Sequence, residues 1–325
     1  MVRRLIAALA LAALPTTALA APSLFVANKR ANTITKIDLT SGETVVEIAT
    51  CETPHELAVS PEGDLLAVAC YGGEDIAFHE TAKLELVHRV KLGEGARPHG
   101  IVWHHNGYIY ATAEGRKSVF KVSHPLSAAA ATIGESPTGQ DGSHMIAVDG
   151  TGRYAWTANM GSATATLVDL TERKPLKSVA LGREPEGIAL TPDGQTLWVS
   201  ARGSNEAFAL DPATMEVRAR VETGRFPLRI AVRPQGDVAI TSNLMDGSLS
   251  VIDLATNTIT RTIAVSSPEE AEARFQVTIL WSGDGSKIYV AETGSNTVAE
   301  VDYASGSVLR RLAAGEGGDG LAIAP

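Results

Sequence analysis

A short pattern returns along this chain at intervals of about 40 to 50 residues, and nothing else in the sequence restricts the fold as much. Its clearest part is a run of β-forming residues ending in a small or polar one. The copies are "LFVAN" from Leu24, "LLAVAC" from Leu65, "YIYATA" from Tyr108, "YAWTAN" from Tyr154, "TLWVSA" from Thr196, "VAITSN" from Val238 and "KIYVAE" from Lys287. Each leads through a polar turn into an alternating strand such as "ITKID", "ATLVD", "LSVID" or "VAEVD". A second turn and a third strand follow, and a Gly- or Pro-containing loop then enters "HELAV", "HGIVW" or "EGIAL". A hairpin turn ("SPEGD", "TPDGQ", "SGDGS") closes the unit. Alternation with Asp-Gly turns marks antiparallel strands.

The seven units, each with four strand signals, predict an all-β fold: a single seven-bladed β-propeller of four-stranded antiparallel blades. The chain enters on the second strand of a unit ("LFVAN") and ends on a first strand ("DGLAIAP"). The last strand should therefore join the first three in one sheet, a 3+1 closure that removes exposed edges. Helical periodicity is confined to the acidic stretch "SPEEAEARF" from Ser267. The spelling "YVAN…ID…P…IA.SPDG" resembles the YVTN-type (YncE-like) β-propeller repeat over essentially all of residues 21–325. Such a resemblance is specific for fold and poorly specific for function.

Residues 1–20 read differently. "MVRR" is a basic start, "LIAALALAAL" a short apolar run, and Ala18-Leu19-Ala20 a small-x-small cleavage site, the pattern of a secretory signal peptide. The expected mature chain is residues 21–325, periplasmic or secreted, with no membrane insertion. Loss of Arg3 and Arg4 moves the formal charge from −9 to −11. Such an acidic chain is not expected to bind a nucleic-acid backbone. The two cysteines, Cys51 and Cys70, permit one disulfide, expected because both fall on the same face of the ring.

In a blade the first strand lines the central channel, so the loops entering these strands and the turns after each "YVAN" emerge on one face. At one register the blades carry His55, His99, His144, Glu186, Leu228, a residue near Val277, and Asp319. The turns add Asn28, Cys70, Glu114, Asn159, Arg202, Asn243 and Glu292, and the same face receives Arg97, Arg183, Arg225 and Arg229. His104 and His105 fall on the opposite face, where solvated turn positions are expected. His79, His88 and His124 fall off the axis.

Three uses of this mouth follow. As a binding site for a small, anionic ligand it offers His55, His99, Arg97, Arg183, Asn159, Arg202 and Asn243, with arginine supplying the planar fork that an anion needs. As a metal site it offers His55, His99, His144 and Glu186, a nitrogen and carboxylate set suited to a divalent ion as cofactor. As a catalytic site it offers His144, Glu186 and Arg229. Here "GSHMIAVDGTGRYAWTANMGSATATLVD" is similar to the corresponding stretch of the lactonase propellers, which implies lactone hydrolase or lyase chemistry. Lactonase relatives usually carry more histidine at this point, whereas this stretch has only His144. The expected partner is a small molecule or a periplasmic protein, the chain itself being monomeric. A protein-interaction scaffold without chemistry is the remaining alternative.

Overall fold

A computed structural model describes residues 21–126 and 132–325. The proposed signal peptide lies outside the described residues. Among these residues the strands form seven four-stranded antiparallel sheets. Blade 1 is composite: Gly318–Ala324 from the end of the chain pairs with Ser23–Asn28, followed by Thr33–Asp38 and Thr44–Ala49. Blades 2 to 7 begin with the innermost strands Pro54–Val59, Pro98–Trp103, Ser143–Val148, Pro185–Leu190, Pro227–Val232 and Gln276–Trp281. The chain is thus a seven-bladed propeller closed by its own terminus.

Second strands such as Leu65–Cys70 and Val238–Asn243 are buried along their whole length, because a neighbouring blade covers each face. The outermost strand Lys174–Ala180 is almost entirely exposed. The core accordingly lies between blades. Phe78 of blade 2 meets Trp103 of blade 3 edge-on at 5.7 Å, within one apolar cluster that also holds Ile109 and Phe120. Burying such aromatic and aliphatic side chains supplies the main stabilisation, at roughly 25 cal/mol per Å² of apolar surface.

Two backbone features set the positions of the mouth residues. The residue before each inner strand is left-handed: Thr53, Arg97, Glu184, Phe226 and Phe275, with glycine at positions 142 and 317. L-residues pay for this conformation, so it persists only where the surroundings enforce it. Each inner strand then carries a bulge against its partner, as between Pro54 and Leu57, Ser143 and Ile146, or Pro227 and Ile230. A bulge breaks the simple in–out alternation. Both members of His55–Glu56 and of Leu228–Arg229 can therefore approach the channel.

Close approach of neighbouring bulges requires glycine at Gly100, where an added Cβ would lie 2.8 Å from the carbonyl oxygen of His144. Glycine there lets the backbones that carry His99 and His144 run close together. The acidic stretch forms Pro268–Arg274, the sole α-helix among the described residues, with Ser267 and Glu270 making a reciprocal capping box. Its C-cap, Phe275, projects at the mouth and is 41% exposed.

Candidate functional site at the channel mouth

The inner strands of blades 2, 3 and 4 bring three imidazoles into a row. His55 and His99 have ring centroids 3.9 Å apart, and His99 and His144 have theirs 3.5 Å apart. His99, in the middle, is fully buried, and neither of its ring nitrogens has a hydrogen-bond partner among the described residues. His144 differs. Its Nδ1 meets Glu114 in a short contact, and its Nε2 lies 3.4 Å from Glu186. His55 has Nε2 3.5 Å from Asp319 and Nδ1 3.8 Å from Glu56.

A ring of opposite charges surrounds the histidines. Arg229 donates from Nη2 to Glu56 at 2.8 Å and from Nη1 to Glu186. Arg202 Nη1 sits 2.6 Å from Glu186 Oε2 as an ion pair outside hydrogen-bond alignment. Lys29 Nζ donates to Asp319 at 2.6 Å. Tyr71 donates to Glu114 at 2.8 Å and sets its ring edge against His55 and His99, with the Arg97 guanidinium over its outer face at 4.6 Å.

These neighbours separate the proton affinities. Burial, then the neighbouring His144 and His55, holds His99 well below the usual 6.5. Burial also acts against a charged His144, but Glu114 and Glu186 outweigh it and raise its pKa. Burial would raise the Glu186 carboxyl, yet Arg229, His144 and Arg202 bring it down to about 2. Asp319 is likewise held well below the carboxylate range, its burial overcome by His55, Lys29 and Arg229. Burial and Glu114 push Tyr71 up to about 12.

Above this floor opens a cavity of about 290 Å³. Its polar lining is Lys29, His55, His144, Arg202, Arg229 and the carboxylates Glu186 and Asp319. Its apolar lining is Phe226, Leu228, Leu244, Met245, Phe275 and Val277.

The sequence register placed most but not all of this. His55, His99, His144, Glu186, Arg229, Arg202 and Asp319 converge. Asn159 and Asn243 do not face the channel. Both are fully buried, and their amides bond Thr164 and Thr166, and Ser248 and Ser250, inside their own blades. The turn register itself needs correction: the partner of Pro98 is Ala113 and that of Pro185 is Ala201, so Glu114 and Arg202 stand one residue beyond the Asn positions. That later register carries Lys29, Tyr71, Glu114 and Arg202 to the mouth.

Arg183 is exposed and donates to the carbonyl of Gly203, Arg225 pairs with Asp246, and Arg97 stays on the rim over Tyr71. His104 is buried rather than solvated, held through Nε2 to the carbonyl of Asp149 at 2.9 Å. His79 is also buried, bonded to Thr50 and to the carbonyl of Leu84. Sequence reasoning missed Glu56, Lys29 and Tyr71 as site residues. Glu56 was marked by its place, since it occupies the position after the axial register that Arg229 holds in blade 6. Cys51 and Cys70 form a disulfide with Cα atoms 5.7 Å apart, tying the loop before His55 to the strand before Tyr71.

The model of the family described as lactonase, seven-bladed β-propeller, matches residues 37–275. The chain belongs to this lactonase propeller family. Compared with curated proteins, it has no significant match. Solved structures share its architecture at low identity. A functionally unknown protein from Desulfotomaculum acetoxidans is 14% identical with a TM-score of 0.77, covering 93% of this chain and 98% of that one. Hydrazine synthase of Kuenenia stuttgartiensis is 15% identical with a TM-score of 0.70, covering 81% and 87%. Apo AztD from Citrobacter koseri is 15% identical with a TM-score of 0.66, covering 94% and 98%. At such identities the likeness is one of fold.

Proposed function

We propose that the chain binds a small amphipathic anion, a carboxylate with an apolar body, in the cavity at the channel mouth. The observation that carries this is which charges a ligand can touch. Side chains of Lys29 and Arg202 are 26% and 25% exposed, while the carboxylates paired with them, Asp319 and Glu186, are 0% and 2% exposed. The acidic groups stand behind the basic ones and hold them in place. A ligand entering the cavity meets an ammonium, a guanidinium and the edges of His55 and His144. Such preorganised donors favour an anion. In the same cavity, Phe226, Met245 and Phe275 offer apolar surface for the rest of the molecule.

Calorimetric titration with hexanoate and 3-phenylpropionate, against their neutral amides, tests the reading. Both acids should bind more tightly than the amides, and Arg202→Ala or Phe275→Ala should weaken them. Equal binding of acid and amide, or no binding of either, overturns it.

A second reading is favoured by His144, which lies between Glu114 and Glu186 at the edge of the cavity, the arrangement of a general acid–base histidine. In a lactonase-family chain this supports hydrolysis of a lactone to the hydroxy acid. His144 would take a proton from the attacking water and pass it to the ring oxygen as the acyl C–O bond breaks, and Arg202 would hold the carboxylate left once the new acid loses its proton to solvent. Turnover of γ- and δ-lactones, abolished in His144→Ala, is the expected result. Absence of turnover in the wild type leaves the binding function alone.

We also propose that the blades are YVTN-type repeats and that the mature chain is exported. The disulfide supports export, since such bonds persist in oxidising compartments. Cell fractionation with N-terminal sequencing, expected to find a periplasmic or secreted chain beginning at Ala21, tests the location.

A further inference from the structure

We propose that His55, Glu56 and His99 hold a divalent transition-metal ion in the floor of the channel, beneath the cavity. The set differs from the one the sequence register favours. His144 and Glu186 are committed elsewhere, His144 between Glu114 and Glu186, and Glu186 among His144, Arg229 and Arg202. His99 has no such commitment. A fully buried imidazole with neither nitrogen bonded is costly, because buried polar groups are almost always satisfied. A metal bond to one nitrogen removes that cost in part.

The geometry names the partners. One donor atom each from His55, Glu56 and His99 lies within 4.8 Å of the other two. Bonds of roughly 2.0–2.2 Å to a single ion would draw the three atoms closer together. The bulge places them there: it turns Glu56 to the channel beside His55, where an unbroken strand would send adjacent side chains to opposite faces. Arg229 uses one oxygen of Glu56, and a carboxylate has a second to give.

The donor class selects the ion. Two neutral imidazoles and one carboxylate suit zinc or iron(II), with coordination positions left over for water or a ligand. Magnesium and calcium take mostly oxygen donors. Four carboxylates (Glu56, Glu114, Glu186, Asp319) stand around the floor against three permanent cations (Lys29, Arg202, Arg229) and His144, so the floor carries no large positive excess that would repel an ion. His55, whose side chain is 14% exposed, also lines the cavity, so the ion has a way in from the mouth.

The inference does not rest on the anion-binding reading, and its test contains no organic ligand. Full-length mature protein is treated with a chelator, then titrated with zinc against a chromophoric competitor, and in parallel with cobalt(II) followed by visible absorption. One equivalent of zinc should bind, and cobalt should develop ligand-field bands. His99→Ala should lower zinc affinity about tenfold or more, while His104→Ala on the opposite face leaves it unchanged. Should His99→Ala not fold, His55→Ala carries the same expectation. Wild-type protein that takes up no stoichiometric zinc, or equal zinc affinity in the mouth variant and His104→Ala, overturns the site and leaves His99 as packing between two rings.

Discussion

Arg229 of blade 6 donates across the channel to Glu56 of blade 2 at 2.8 Å, joining residues 173 positions apart in the chain. Its other amino group pairs with Glu186 of blade 5, and its side chain is only 4% exposed. Three blades are thus tied by one guanidinium at the axis. Breaking a buried pair from one side leaves charge uncompensated, here that of Glu56 above all, since Glu186 keeps Arg202 and His144. Arg229→Met should therefore lose about 3–5 kcal/mol of unfolding free energy. Urea denaturation at pH 7 measures it, and a loss below about 1 kcal/mol would show the bridge to be energetically idle.

The neighbouring rings of His99 and His144 should titrate on opposite sides of 6.5. His99 is desolvated among like-charged neighbours, and His144 is held by two carboxylates. Histidine ring NMR across pH 4 to 9, assigned with His99→Gln and His144→Gln, should find His144 protonated where His99 is neutral. The linked stability runs in opposite directions. The contribution of His144 is present below its unfolded pKa and fades as pH rises through its raised folded value. That of neutral His99 is present above 6.5 and is lost as pH falls.

Acid stability should depend on Glu186. Its carboxyl falls from an ordinary 4.5 to about 2 in the folded protein, so its contribution is complete above 4.5 and is lost as pH drops toward 2. A shift of this size corresponds to about 3 kcal/mol. Urea midpoints measured from pH 6 to pH 2 should fall steeply in the wild type. Glu186→Gln, weaker at neutral pH, should show a shallower fall. Parallel curves would assign the acid loss to other carboxylates, Asp319 first.

Reduction of Cys51–Cys70 should cost about 3 kcal/mol, the value for a closed loop of this length in the chain-entropy model. Intact mass under non-reducing conditions should find no free thiol. Denaturation with and without a reductant should differ by that amount, and indistinguishable curves would mean that the bridge adds nothing.

Deleting residues 318–325 should disable both fold and site. The segment is the inner strand of blade 1 and carries Asp319, the partner of Lys29 and neighbour of His55. Without it, Ser23–Asn28 becomes an open edge. The truncated chain is expected to melt non-cooperatively or aggregate, as read by circular dichroism and size-exclusion chromatography. A monomer with wild-type melting behaviour would show that ring closure is dispensable.

The repeat spacing by itself determined the number of blades, the order of strands and the closure, because four short strands with one period can bury their faces only by stacking on like neighbours. It also determined which entry-loop residues share the axis, His55, His99, His144, Glu186 and Asp319 among them, since equivalent positions in a ring point the same way. The tertiary structure decided what those residues do. Glu56 reaches the channel only because a bulge breaks strand alternation. Asn159 and Asn243 turn inward to bond their own blades, while Lys29, Tyr71, Glu114 and Arg202, one residue further on, take the mouth. That His144 is paired and His99 is bare depends on carboxylates from the two flanking blades, Glu114 and Glu186. Repetition fixes where backbones lie to within a residue, but a site is chosen by side-chain direction and by the charge that happens to stand opposite, and no single copy of the repeat contains either.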